Sequence, residues 1–427
     1  MRQQKDLKEA IAEIEVKLGN EVNEVFKKII PAFEKFGYPG LADPGLTAIT
    51  NLDIERVLSN HTSIRYEGLA GVLLPESYSG LGSRNLILIL LTLLGYYREY
   101  ATRKDEPGLH LIFIEEPEAH LHPQMQEVFI KQLTTIAEVF PAIDGEDTAW
   151  SPQFIVSTHS PHIANRADFS AIRYFRVESQ LDRTNHFHTT VLNLDLAEGI
   201  DSAFLHQYLT LVRCDLFFAD KAILVEGASE RLIIPAIIQN SHHPLGNQFI
   251  TIMEVGGAYA FKFFPLLKFL GIPALIITDI DAVRIPAGGN RKVSTTVRSG
   301  TTTSNTTIAR WFEETEELSL HKLLKDAETD AIVKRKMYLA YQVPEKPGEA
   351  CGRTFEDAFI LANADLFNLS LTKDYAKNEK LAFEESKRSP NKKSTFALRF
   401  AIDETDWNIP RYLKRGLDWL LSTNQRR

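Results

Sequence analysis

The chain has 427 residues, 44% of them hydrophobic and 24% charged, with two cysteines and a formal net charge of −8 at pH 7. That length supports two or three domains with cores of their own, and the two cysteines, Cys214 and Cys351, exclude a disulfide framework or a cysteine-rich zinc site and fit a reducing cytoplasm. The negative balance excludes a uniformly basic nucleic-acid binder, so any DNA site must be local.

The first thirty residues place Leu7, Ile11, Ile14, Leu18, Val22, Val25 and Ile29 in one stripe along a helix. The stripe needs a partner, either its own domain or a second copy in a coiled-coil dimer contact. Pro31 and the Gly/Pro-rich run 37–45 are expected to end the helix. The most apolar stretch, residues 86–94, is too short for the ~20 residues that span a bilayer. The opening residues also lack the apolar segment of a signal peptide, so a cytoplasmic location with no membrane partner is expected.

From residue 77 to about 165, three motifs alternate with apolar runs: Ser79-Gly-Leu-Gly82, Leu111-Ile-Phe-Ile-Glu-Glu116 and Phe154-Ile-Val-Ser-Thr-His159. Apolar runs without alternation predict strands covered on both faces, hence a mostly parallel sheet in an α/β layer structure. Residues 172–194 alternate about a polar turn and predict a hairpin closing this domain. A second α/β unit follows, with buried strands Ala222-Ile-Leu-Val-Glu226 and Ala274-Leu-Ile-Ile-Thr-Asp279 ending in acids. Parallel strands put such ends along one edge, where open α/β sheets place their sites. The run 282–312 carries Arg284, Arg291, Lys292, Arg298 and Arg310 without an acid, among many Ser, Thr, Gly and Asn, and reads as an irregular, mobile insertion.

In the first domain, Glu115 and Glu116 after a buried strand suit a metal ion and a water held against a phosphate. His159, after the next strand, suits polarisation of a terminal phosphate. The glycines and serine before a long apolar helix suit an anion. In order and spacing these motifs resemble the signature (Ser79, Gly80, Gly82), Walker B (Glu115, Glu116) and switch histidine (His159) of ABC-type ATPases with RecF- and Rad50-like heads. Glu115 stands where Asp is more usual. The Gly-x-x-x-x-Gly-Lys-Ser/Thr loop that cradles β and γ phosphates is missing, and no Gly-Lys dipeptide occurs. The chain therefore resembles a partial ABC-type ATPase lobe without its N-terminal part. ATP hydrolysis is not expected from it alone, and ATP becomes a cofactor only if a phosphate loop is supplied.

In the second domain, Glu226 and Glu230 are four residues apart at a strand-to-helix turn, and Asp279 and Asp281 are two apart at a strand end, so each pair is expected to face one way. Four converging acids repel one another unless a cation neutralises them, and all-oxygen ligation selects Mg2+ or Mn2+. Two such ions can activate a water and stabilise the leaving oxygen of a phosphodiester. Leu224-Val-Glu-Gly227 and Thr278-Asp-Ile-Asp281 resemble the two halves of a Toprim domain. An ABC-type ATPase followed by Toprim is the layout of the OLD (overcoming lysogenization defect) family of bacterial and phage-associated nucleases. The resemblance implies a Rossmann-like parallel sheet, with an ATPase-type domain over 1–198 and a Toprim domain over 199–427 interrupted at about 282–350. It makes Glu356, in Arg353-Thr-Phe-Glu-Asp-Ala-Phe359, a second-metal ligand ahead of its neighbour Asp357, and Lys393 a group stabilising charge on the cleaved phosphate.

The expected function is a two-metal DNA endonuclease, with Glu226, Asp279, Asp281 and Lys393 catalytic, Glu226, Glu230, Asp279, Asp281 and Glu356 holding metals, and Arg291, Lys292 and Arg298 contacting DNA. The resemblance further implies an ATPase-type head as regulator, a homodimer, a defence-system partner protein, and a role against phage or foreign DNA. The alternative is a non-catalytic ABC-like module that binds DNA or a partner and keeps a structural metal.

Overall fold

The computed structural model describes residues 2–34, 45–50, 62–67, 73–75, 80–103, 108–144, 149–179, 187–194, 199, 214–240, 244–256, 258–287, 291–313, 318–388, 393–404 and 406–423. The chain divides into two compact units, Met1–Asp168 and Phe169–Arg427. Among the described residues no helix is long and apolar enough to cross a membrane.

In the first unit the helix Arg2–Glu34 runs past Pro31 instead of ending there. Proline removes one amide donor and so one helical hydrogen bond, but only three residues of the helix follow it. The rear of the apolar stripe packs within the unit: Ile29 is buried with Leu86, Leu90 and Phe129, and Val25 and Ile30 lie against the same cluster. Ile14 and Leu18, nearer the front, are exposed. The strands Leu111–Glu115 and Gln153–Ser157 are parallel neighbours, with Glu115 opposite Ser157. Their burial alternates, contrary to the expectation of coverage on both faces. Ile112 and Ile114 enter the core formed by the helices, while Leu111, Phe113 and Ile155 on the other face are exposed.

The second unit is built on a five-stranded sheet in the order Val333–Lys334, Met337–Ala340, Ala274–Ile277, Lys221–Val225, Ile250–Glu254. The last four are parallel and the first is an antiparallel edge. Lys221–Val225 and Ala274–Ile277 are buried at every position, as their uninterrupted apolar runs require. One covering layer is the helix Arg411–Ser422, which approaches through Gly416: a Cβ there would lie 2.7 Å from Leu275 Cδ1. The Nζ of buried Lys221 donates to the carbonyl of Leu420 in the same helix.

Two expectations change here. The predicted hairpin forms, with Arg173–Ser179 antiparallel to Phe187–Asn193, but it packs in the second unit. Tyr174 lies against Phe217 and Phe269, and Arg176 Nη1 donates to the Phe269 carbonyl at 2.9 Å. The insertion is not irregular. It folds into a small antiparallel sheet in the order Val293–Ser294, Ala282–Arg284, Thr302–Thr303. Its hydroxyls bond backbone instead of solvent, Thr302 Oγ1 to the Leu318 carbonyl at 2.8 Å and Thr303 Oγ1 to the Ile280 carbonyl at 2.6 Å. Thr302, Thr303 and Asn305 are buried as a result.

Candidate active site

Strand register assembles the acidic site. Ala222 lies opposite Ala274 and Ala274 opposite Met337, so the three parallel strands end level, with Glu226, Asp279 and Gln342 just beyond them. Glu226 Oε2 accepts the Thr278 hydroxyl at 2.6 Å, the Asp279 amide at 3.0 Å and Asn305 Nδ2 at 3.3 Å. Asp279 Oδ1 accepts Gln342 Nε2 at 2.7 Å and the Phe355 amide at 2.9 Å. Gln342 is fully buried, and its Oε1 accepts the Ile280 amide at 2.7 Å.

Glu230, in the first turn of the helix Ala228–Asn240, and Glu356, in the first turn of Phe355–Ala362, are both buried. Ser229 Oγ links the two helices by donating to Glu356 Oε1 at 2.9 Å. The electrostatic outcome is concentrated on Asp279. Burial, then the charges of Glu230, Glu226, Glu356 and Asp281, hold its carboxyl well above the ordinary aspartate range. Burial, then the charges of Asp279, Glu230 and Glu356, push up the phenol of Tyr412, whose Oη receives a long 3.4 Å bond from Gln342 Nε2.

The remaining expected residues separate. Asp281 lies past the strand end with φ of 46°, so the period-two argument does not orient it. Its Oδ1 accepts Arg353 Nη2 at 2.6 Å, placing a guanidinium at the border of the acids. Asp357 is held by another partner, its Oδ2 accepting the Arg353 amide at 3.2 Å. Lys393 opens the helix Lys393–Leu398, and its side chain lies outside the described residues. That helix is fixed through Phe396, whose ring packs on Phe359 and Phe355. Arg291 and Lys292 are exposed beside the small antiparallel sheet. Arg298 instead braces the fold. Its Nη2 donates to the Gly348 and Glu349 carbonyls, its Nε lies 3.4 Å from Glu379 Oε1, and its guanidinium covers Tyr375.

Do these residues suit divalent cations? Glu226 and Asp279 each accept these hydrogen bonds at a single oxygen, Oε2 and Oδ1. The donor set is hard carboxylate oxygen throughout, and its mutual repulsion is what a divalent ion relieves. Among the described residues no three His, Cys, Asp or Glu side chains stand in a ready-made ligating group. The fit therefore lies in donor chemistry and charge.

In the first unit, Glu115 ends its strand and Glu116 follows with φ of 44°. His159 Nε2 lies 3.5 Å from Glu116 Oε1, both side chains largely exposed. The sequence reading missed Glu118, whose Oε1 accepts Thr158 Oγ1 at 2.8 Å and the His159 amide at 2.7 Å, fixing the histidine's backbone. Ser79 lies outside the described residues, and Gly80 is the N-cap of the helix Leu81–Thr102. Gly82 is required by close approach, since a Cβ there would lie 2.5 Å from the His120 carbonyl oxygen. Asn85 Nδ2 donates to the Ala119 carbonyl at 2.9 Å, so the helix start and the Glu116–His120 turn are one assembly.

Comparison with known proteins agrees with both halves. The AAA ATPase domain family matches residues 2–164, and the TOPRIM domain of overcoming lysogenization defect protein-like proteins matches residues 217–281. Endonuclease GajA of Bacillus cereus (strain HuB5-5) is 29% identical over 402 residues, covering 87% of this chain and 57% of that protein. The OLD nuclease of Thermus scotoductus is 27% identical over 210 residues, 49% of this chain and 36% of that protein. The solved C-terminal region of the Burkholderia pseudomallei OLD protein covers 48% of this chain and 98% of its own, at 19% identity and a TM-score of 0.31. The chain spans about half the length, or less, of the curated relatives it matches. It is homologous to the GajA and OLD nucleases, and joins an AAA-type ATPase region to an OLD-like TOPRIM domain.

Proposed function

We propose that this chain is a metal-dependent DNA endonuclease whose site is the acid cluster of the second unit. The observation that carries the reading is the meeting of acids just past the level strand ends: the Asp279 amide donates to Glu226 Oε2, and buried Asp279 accepts the Phe355 amide in the helix turn that carries buried Glu356. Groups so arranged raise the free energy of the protein unless a cation offsets them, and such tension is characteristic of sites built for function. The nuclease names of the relatives support the same class.

Glu226, Glu230, Asp279, Asp281 and Glu356 would hold Mg2+ or Mn2+, in two ions. Such ions, when bound, supply Lewis acidity toward the phosphodiester and toward a water. The chain's own residues do the orienting. Gln342 and the Phe355 amide fix Asp279 by one oxygen, and Thr278 with the Asp279 amide does the same for Glu226. Lys393 stabilises charge on the cleaved phosphate, while Arg291 and Lys292 give an acidic protein a local contact with the DNA backbone. In this reading Arg298 supports that contact by holding the loop in place.

The AAA-type region regulates cleavage, with Glu116 and His159 facing the nucleotide once a phosphate loop is supplied. The assembly is a cytoplasmic homodimer, works with a defence-system partner protein, and acts against phage or other foreign DNA.

The test is nicking of supercoiled plasmid by the purified chain with Mg2+ or Mn2+ and no ATP. Glu226→Ala and Asp279→Ala should each lower the rate at least a hundredfold, because each removes a charge that the ions need. Wild-type rates in both variants would remove the site from the reaction. Metal binding without cleavage would leave a non-catalytic module.

A further inference from the structure

We propose that Asn305 is a positioning residue for the metal-holding acids, so that the Ser/Thr-rich insertion is part of the nuclease site. The inference rests on the metal-dependent reading above and assigns a role to a residue outside its acids. Asn305 is 1% exposed and uses both ends of its carboxamide. Oδ1 accepts the Ile308 amide at 3.2 Å and caps the helix Thr306–Phe312. Nδ2 faces the other way, 2.8 Å from Thr278 Oγ1, 2.8 Å from the Asp279 carbonyl and 3.3 Å from Glu226 Oε2.

Thr278 Oγ1 in turn donates its hydrogen bond to Glu226 Oε2 at 2.6 Å. Asn305 therefore orders the hydroxyl that holds the acid, and touches the acid as well. A carboxylate with one oxygen saturated by fixed donors presents the other in one direction, and donors behind a ligand in this way set its orientation and basicity. The neighbours of Asn305 complete the wrap. Thr303 Oγ1 donates to the Ile280 carbonyl at 2.6 Å, and the Ser304 amide donates to the Asp281 carbonyl at 3.1 Å. Residues 303–305 thus satisfy between them the carbonyls of Asp279, Ile280 and Asp281. A capping role alone would need only Oδ1; the three contacts of Nδ2 point at the acids.

The two ends of the carboxamide can be tested apart. Asn305→Ser keeps an oxygen able to cap the helix, since serine caps about as well as asparagine, but removes Nδ2 without adding charge. Asn363→Ser is the control: Asn363 is also buried, and its Nδ2 donates to the Phe359 and Asn408 carbonyls, away from the acids. Mn2+ affinity of the full chain is measured by electron paramagnetic resonance titration, alongside thermal unfolding in EDTA. Asn305→Ser should weaken Mn2+ binding by roughly 10–100-fold. Its plasmid nicking should recover as Mn2+ is raised, with KM for DNA unchanged. Asn363→Ser should lower the unfolding temperature comparably or more and leave Mn2+ affinity at the wild-type value. Wild-type affinity in Asn305→Ser, or equal losses in both variants, overturns the positioning role while leaving the metal site standing. Absence of saturable Mn2+ binding in the wild type brings down the metal reading itself, and this role with it.

Discussion

Replacing Asp279 with asparagine should destroy cleavage and, in the absence of metal, make the protein more stable. In the metal-free fold the Asp279 carboxylate is buried among four other acids, which together with burial raise its pKa well above the usual value. An uncompensated buried charge costs about 3–5 kcal/mol. Asparagine is nearly isosteric and its oxygen can still accept from Gln342 Nε2 and the Phe355 amide. Weakening those two bonds from charge-assisted to neutral costs about 1 kcal/mol each. The net gain is about 1–3 kcal/mol, which for a unit of this size raises the unfolding temperature by roughly 3–9 °C. The sign has a pH signature. A folded-state pKa raised above the unfolded value gives a contribution that is favourable at low pH and lost as pH rises through the folded value. The advantage of Asp279→Asn should therefore be smallest at acid pH and grow as pH rises through the folded-state value. Mn2+ at about 100 times its dissociation constant should add about 2.7 kcal/mol to the wild type and little to the variant. Scanning calorimetry of both proteins, in EDTA and in Mn2+, reads all of this. An Asp279→Asn protein no more stable than wild type in EDTA at pH 8 would refute the picture of a strained acid cluster.

Other outcomes follow from the same geometry. Gly82→Ala places a methyl 2.5 Å from the His120 carbonyl, a backbone atom that cannot swing aside, so calorimetry should show the first unit destabilised by about 1–3 kcal/mol with the second unchanged. Arg291→Ala with Lys292→Ala should weaken DNA binding at moderate salt and reduce the log-log salt slope by up to about 0.9 per lost phosphate contact; binding titrations across a salt series that give an unchanged slope would remove this loop from the DNA interface. Phosphate release from ATP by this chain should stay at background, because Glu116 and His159 have no phosphate-gripping loop beside them in this sequence. Turnover abolished by Glu116→Gln would mean that another segment grips the nucleotide.

The residues legible from sequence were those whose pattern is enforced over several positions. Lys221–Val225 and Ala274–Ile277 are buried at every residue, and an unbroken apolar run announces that directly. Acids at their ends were found for the same reason. Gln342 ends a third parallel strand in the same manner, yet a search for charge passes over a neutral side chain. Asn305 was hidden differently: a run rich in Ser, Thr and Gly has the composition of a solvated loop, and only the fold turns its hydroxyls inward onto the backbone. Composition also cannot tell Arg291 from Arg298, since what separates them is Glu379, eighty-one residues on, buried beneath the latter. In the first unit the apolar strands overstated their burial, because Phe113 and Ile155 are as apolar as Ile112 while facing away from the described core.

One device recurs in both units and explains why threonine precedes a proposed site residue in each. After the strand Gln153–Ser157, Thr158 gives its hydroxyl and His159 its amide to one oxygen of Glu118, a residue that follows the neighbouring parallel strand. After Ala274–Ile277, Thr278 and Asp279 give the same two groups to one oxygen of Glu226, which again follows the neighbouring parallel strand. In both places a carboxylate clasps the hydroxyl and the next amide, fixing the backbone of the residue proposed to carry the chemistry. Charge-assisted bonds of this kind are stronger than neutral ones and give the clasp direction. The difference lies in what else the carboxylate does. Glu118 is a clasp beside Glu115 and Glu116, the acids proposed to face a nucleotide, whereas Glu226 is both clasp and proposed ligand. Loss of Glu226 should therefore disturb Asp279 as well as remove a metal-holding oxygen, and the two losses should not be additive when Glu226 and Asp279 are replaced together.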